Sequence, residues 1–252
     1  MSNSEAQAWY KDELHSLYPA TGGPYAGDVK FSDTDGNKKI SIADATLENH
    51  GDLERIGNIM PRYQFGLNRD FKWNGIGLSA FIQGVAKRDW YPVQGSNFFW
   101  GGYARAYAAI LKTQSKENTI QVDKSTEDWV VTNAADNPYW PRRAYGSAET
   151  TTGTLIFPYD KYLQNAAYVR LKNLTVDYSF PKNMLKRAKI EQLKVYLTGE
   201  NLLTWSPMFK NTAMFDPEVI QGGDSDFHDA TSANGYSYPM LRSFTFGINL
   251  TF

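Results

Sequence analysis

Strict alternation of apolar and polar side chains recurs along this chain, most clearly at its end. Phe244, Phe246, Ile248, Leu250 and Phe252 alternate with Ser243, Thr245, Gly247, Asn249 and Thr251 without a break. A side-chain period of two is a strand with one apolar and one polar face. The run matches the ~9–11 residues of a tilted membrane-crossing strand. A soluble sandwich strand shows the same alternation but more often meets a turn after about 5–6 residues.

The same pattern predicts four earlier strands. Arg62–Trp73 sets Tyr63, Phe65, Leu67, Phe71 and Trp73 on one side, interrupted by Arg69, with Gln64, Asn68 and Asp70 on the other. Asn74-Gly75 follows, a strong short hairpin signal, and Ile76–Lys87 returns with Leu78, Ala80 and Ile82 on one face. Tyr168–Phe180 places Leu174, Val176, Tyr178 and Phe180 opposite Asn173, Thr175, Asp177 and Ser179. Arg170 and Lys172 fall on its apolar side near the start, which calls for an interfacial position or a bulge. Gln192–Thr204 carries Leu193, Val195 and Leu197 on one face.

The connectors alternate in length. A tight turn joins the first two predicted strands, and the stretch Asp89–Ala166 leads to the third. Pro181–Glu191, with Lys182, Lys186, Arg187 and Lys189, reads as a solvated turn into the fourth. Trp205–Pro239 leads to the last. Long and short connectors therefore lie at opposite ends of the sheet, and residues 1–60 fall on the long-loop side. A loop as long as Asp89–Ala166 is out of place in a compact soluble domain. It is ordinary on the extracellular side of a large barrel, whose periplasmic turns are short.

Composition adjusts this picture only slightly. The 252 residues carry a net charge of -1, which gives no electrostatic argument for nucleic acid. There are no cysteines, so neither disulfides nor thiol chemistry is available. No apolar run approaches the ~18 residues of a membrane helix. Mean hydropathy is -0.50, which a barrel also shows, because half of each strand and its long loops are polar. Aromatics make up 15%, a proportion that suits either interfacial girdles or sugar-stacking platforms.

Candidate chemistry is sparse. Ser4-Glu5-Ala6-Gln7 fits a capping box, and Ala6, Trp9, Tyr10, Leu14 and Leu17 predict a short amphipathic helix ending before Pro19. In Asp33–Asp44, Asp33, Asp35, Asn37, Ser41 and Asp44 occupy positions 1, 3, 5, 9 and 12 of a twelve-residue loop, the spacing that wraps oxygens around Ca²⁺. Lys38 stands at position 6, where the turn wants glycine, and position 12 is Asp rather than Glu. The alternative is a polar turn closed by Asx-type hydrogen bonds. Trp90, Tyr91, Trp100 and Tyr103 are candidates for stacking on cargo or meeting a partner, or for packing the loops together. His15, His50 and His228 have no metal-ligand spacing, and no nucleophile-elbow or phosphate-loop pattern occurs. No enzyme is expected.

A set of motifs resembles the C-terminal part of SusC/RagA-type TonB-linked outer-membrane transporters. In order they are Gly27–Phe31 with the Asp-rich loop, Ile56-Gly57-Asn58 leading to Pro61-Arg62, and Gly77–Gly84. Then come Tyr168–Thr175, Gly199–Trp205, Asp216-Pro217-Glu218, and Tyr238-Pro239 through Phe252. The resemblance covers about residues 27–252, loosely over 95–150. It implies import of oligosaccharides, peptides or other large nutrients across a Gram-negative outer membrane. It also implies a SusD-type surface lipoprotein as a lid, energy from a TonB–ExbBD complex through a missing N-terminal part, and Phe252 as part of the signal read by the barrel-assembly machinery.

The fold expected is all-β: an antiparallel transmembrane β-barrel segment of about five long strands with long extracellular loops. Five strands are too few to close, since the smallest bacterial barrels use about eight and the family's plugged barrels have 22. The chain is therefore expected to be part of a longer protein, lacking plug, TonB box and signal peptide, and neither to insert nor to transport alone. Residues 1–26 form an unplaced helical stretch, 27–60 an extracellular loop with the Ca-like turn, and 61–252 the barrel strands and loops. The competing function is a soluble or cell-surface β-rich carbohydrate-binding module with a calcium-stabilised loop.

Overall fold

The computed structural model describes residues 31–92, 158–220 and 237–252, with residues 4, 5, 8, 99, 139 and 140 and the short strands Leu14–His15, Ile120–Asp123 and Asp128–Val131. Its main feature is a five-stranded sheet built from β1 (Gln64–Trp73), β2 (Ile76–Val85), β3 (Tyr168–Ser179), β4 (Gln192–Trp205) and β5 (Ser243–Thr251). Every neighbouring pair is antiparallel and the spatial order follows the sequence order, so the sheet is a simple meander. These are the five strands that alternation predicts, with ends shifted by a residue or two.

The β1–β2 turn is Asn74-Gly75, at φ 48 and 86. Positive φ at both central residues is the two-residue turn whose twist matches the flanking strands. Gly75 is also required sterically, because a Cβ there would lie 2.8 Å from the Ser179 carbonyl oxygen.

Register shows why the alternation matters. Phe71, Leu78, Val176, Leu197 and Phe246 form one continuous row across all five strands, and Trp73, Ile76, Tyr178, Val195 and Ile248 form the next. On the opposite face runs the row Asp70, Ser79, Thr175, Thr198 and Thr245, with the hydroxyls of Thr175 and Thr198 hydrogen-bonded at 2.8 Å. The polar face is the less open in the middle of the sheet. The apolar face is open to solvent: Phe71 is 62% exposed, Phe246 66% and Phe244 71%. An exposed apolar surface spanning a whole sheet is far from what a monomeric soluble domain tolerates. Arg69 interrupts this face, paired with Ala80 in an unbroken β1–β2 register.

β3 departs from simple alternation. Asn173 pairs with Phe81 and Leu171 with Ile82, leaving Lys172 as an extra residue. On the other side the β3–β4 register breaks between Glu200 and Leu203. Asn201, inside that break, has φ 52. An inserted residue reverses the alternation beyond it. Val169 and Leu171 therefore join the apolar face, and Arg170 turns to the polar one, paired with Gln83 and Thr204. Of the two accounts the sequence leaves open for Arg170 and Lys172, the bulge is the one observed.

By internal contacts the chain divides into two compact units. One comprises Met1–Gly57, Tyr91–Leu163 and Gly223–Gly235; the other, which holds the sheet, comprises Asn58–Trp90, Gln164–Gly222 and Tyr236–Phe252. In the first, Ser4, Glu5 and Ala8 are helical. The helix read from spacing does not continue to Leu17, because Leu14–His15 pairs in parallel with Lys39–Ile40. A strand partner distant in sequence overrides a weak local helix pattern. Ile120–Asp123 and Asp128–Val131 pair antiparallel.

Candidate functional site

The Asp-rich loop closes on its own backbone. The Asp33 carboxylate accepts from the Gly36 N–H at 2.7 Å and the Lys38 N–H at 2.8 Å. Asp35 accepts from the Asn37 N–H at 3.0 Å, and Asn37 Oδ1 from the Lys39 N–H at 2.7 Å. These are the Asx-type bonds of a polar turn. Gly36 and Lys38 take φ 74 and 63, so Lys38 adopts the left-handed conformation that this position of a calcium loop usually gives to glycine. The Lys38 N–H, helped by those of Gly36 and Asn37, holds the Asp33 carboxyl below its ordinary range of about 3.8.

Carboxylates converge here, but not the set predicted by spacing. Oxygens of Asp33, Asp35 and Asp52 lie within 4.8 Å of one another. Asp52 also accepts from the N–H groups of Thr34 at 2.7 Å and Ser41 at 2.8 Å. Asp44 instead accepts from Asn49 Nδ2 at 2.6 Å. Asp52 was missed because it lies outside the twelve-residue window. A return through Ala43, Ala45 and Gly51, all at positive φ, brings it back, and no local signal announces that path.

Of the candidate stacking rings, the two that are described, Trp90 and Tyr91, are packed. Trp90 is 1% exposed, its ring tilted against Phe215 with centroids 4.9 Å apart. Tyr91 is 9% exposed and meets Tyr159 edge-on at 6.5 Å. Tyr159 in turn contacts Phe31 at 5.3 Å. A ring that stacks on a sugar needs an open face; these two hold loop residues together. Trp100 and Tyr103 lie outside the described residues, as do residues 27–30 of the first family motif.

The most developed polar site is one the sequence did not single out. Arg170, 3% exposed, pairs with Asp216 and with Glu218, the latter at 2.6 Å. Its Nε donates to the Thr204 hydroxyl at 2.8 Å. Lys172 Nζ reaches the second Glu218 oxygen at 2.8 Å. The planar guanidinium meets two carboxylates and a hydroxyl at once, a geometry lysine does not reproduce. Arg88 grips the same loop through its backbone, donating to the carbonyls of Ile220 at 2.6 Å and Pro217 at 3.3 Å. Two family motifs, Tyr168–Thr175 and Asp216-Pro217-Glu218, thus meet as one ion-paired clamp. The signal that could have revealed it was the arginine out of phase on β3.

Phe252 follows β5 and is 79% exposed. The Glu191 N–H donates to the Thr251 carbonyl at 2.8 Å, so the chain end lies beside the short β3–β4 connector.

Together these make a five-stranded antiparallel sheet with one open apolar face and one polar, ion-paired face, as the motifs' resemblance implies. The relatives point the same way. Two TonB-dependent receptors of Formosa agariphila are similar in sequence. Receptor P3 is 28% identical over 235 residues, covering 92% of this chain and 20% of that receptor. Receptor P26 is 27% identical over 228 residues, covering 90% and 20%. No family model matches the chain. In fold, the RagAB peptide importer in its open-open state matches with TM-score 0.50 at 17% identity, over 82% of this chain and 19% of that one. The chain thus resembles a segment of TonB-dependent receptors in sequence and of the RagAB importer in fold, in line with its motifs. It spans about a fifth of the length of the curated relatives it matches.

Proposed function

We propose that this chain is the C-terminal barrel portion of a TonB-dependent outer-membrane receptor that imports oligosaccharides, peptides or other large nutrients. The observation that carries this reading is the set of apolar rows across β1–β5, interrupted only at Arg69 and exposed on one face of the sheet. Lipid covers such a face at no cost, whereas water does not. The free edges at β1 and β5 are where further strands of a closed barrel would pair, since unpaired backbone in lipid costs several kcal/mol per group. The receptor works with a SusD-type surface lipoprotein as lid, draws energy from TonB–ExbBD, and is inserted by the barrel-assembly machinery through a signal that includes Phe252.

The test uses the gene with its upstream coding sequence. The product is expected in the outer-membrane fraction, with heat-modifiable migration, and its deletion is expected to abolish growth on one class of oligosaccharide or peptide. A product that stays in the aqueous fraction without detergent, as the carbohydrate-binding module would, overturns the reading.

A further inference from the structure

We propose that the β3–β4 connector is a docking rim for anionic phospholipid headgroups. This rests on the barrel reading above. Lys182, Lys186, Arg187 and Lys189 fall within one short turn. The turn is ordered: a helical segment Lys182–Leu185 runs into a 3-10 turn Lys186–Ala188, closed by Lys189 at φ 54. Leu185 is 6% exposed and anchors it, while Met184 is 65% exposed. Among the described residues none of the four cationic side chains has an ion pair. Of the nearby acids, Asp177 is engaged by Lys194 at 3.2 Å, and Glu191 alone cannot balance the turn.

The surroundings make this more than a solvated charge run. Hydrogen bonds tie the three ends together: Ser179 N–H to the Gly75 carbonyl at 2.8 Å, Phe180 N–H to Leu193 at 2.9 Å, and Glu191 N–H to Thr251 at 2.8 Å. The same end carries exposed rings on the apolar side, Trp73 at 66% and Phe252 at 79%, with Tyr178 and Phe180 paired edge-on at 5.0 Å. Aromatic rings with basic side chains beyond them are the pattern of a bilayer interface, rings at headgroup depth and cations at the phosphates. A zwitterionic headgroup returns an ammonium for each phosphate. Unopposed cations therefore favour a headgroup of net negative charge.

The experiment is native mass spectrometry of the full-length protein, purified in mild detergent and offered phosphatidylglycerol or phosphatidylethanolamine. The wild type is expected to retain phosphatidylglycerol preferentially. Changing Lys182, Lys186, Arg187 and Lys189 together to Gln is expected to weaken that retention about tenfold or more. Arg62→Gln with Lys87→Gln, at the opposite end of the β1–β2 hairpin, is expected to leave it unchanged. Equal retention of both lipids by the wild type, or undiminished phosphatidylglycerol binding by the fourfold variant, makes this a solvated turn and overturns the proposal. A protein that never partitions into detergent overturns the barrel reading first, and the lipid rim with it.

Discussion

Arg170 and Glu218, 48 positions apart, meet at 2.6 Å on the polar face of the sheet. The bulge at Lys172 makes this possible. In unbroken alternation Arg170 would fall on the apolar face, away from Asp216 and Glu218. Turned to the polar face, it fixes the Asp216-Pro217-Glu218 segment to the sheet, and Arg88 holds the backbone of the same segment. The base of the second long loop is therefore set by two arginines from different strands or strand ends.

Removing Arg170 should be costly. Arg170→Met leaves the buried Asp216 without its cation and Glu218 with Lys172 alone, a loss of about 3 kcal/mol. Thermal unfolding in detergent should shift down by several degrees, and limited proteolysis should cut within 206–220 sooner than in the wild type. Arg170→Lys should recover only part of this, because a single ammonium cannot span both carboxylates and the Thr204 hydroxyl. Unchanged proteolysis in Arg170→Met would show that the clamp does not hold the loop.

The two faces of β5 should respond oppositely to charge. Phe246 and Thr245 are both exposed in the chain by itself. If lipid covers one face, Phe246→Lys should lose about 2–4 kcal/mol of stability in vesicles. Thr245→Lys should change it by no more than about 0.5 kcal/mol. Urea titration of the full-length protein in vesicles reads the difference. Equal, small effects would fit a water-soluble sheet instead.

The Asp33 turn should be sensitive only to strong acid. Its folded carboxyl lies below the ordinary value of about 3.8, so the stabilisation it supplies is fully present above that value and is lost as pH falls through the depressed folded one. Protection of the Gly36 and Lys38 amides from hydrogen exchange, taken relative to the intrinsic rate at each pH, should hold from neutral pH down to about 4 and fall below it. Asp33→Asn should remove most of that pH dependence. Loss of protection near pH 6 would assign the closure to another group.

Calcium separates the two accounts of the same loop. We expect any Ca²⁺ to add where Asp33, Asp35 and Asp52 converge, rather than at the set of oxygens chosen by spacing. In calorimetric titration Asp52→Asn should then weaken binding by about tenfold or more, and Asp44→Asn should leave it unchanged. No heat of binding at millimolar calcium would leave the loop as a turn closed by hydrogen bonds alone. A loss on Asp44→Asn would restore the twelve-residue arrangement.

The strands were legible because a period of two is a local property: each residue's face follows from its neighbours alone. That let the sequence by itself determine β1–β5, their order by connector length, the Asn74-Gly75 turn and the side on which Phe244 to Phe252 stand. What only the tertiary structure decided depends on residues far apart in the chain. The bulge at Lys172 exists because β2 and β4 together dictate the register of β3. Asp52 joins Asp33 because a turn of positive-φ residues carries it back. Trp90 loses its open face to Phe215, and Leu14 leaves a helical pattern for a strand partner at Lys39. Local alternation sets which way a side chain points; what it finds there is set by contacts between distant residues, and no window of sequence contains them.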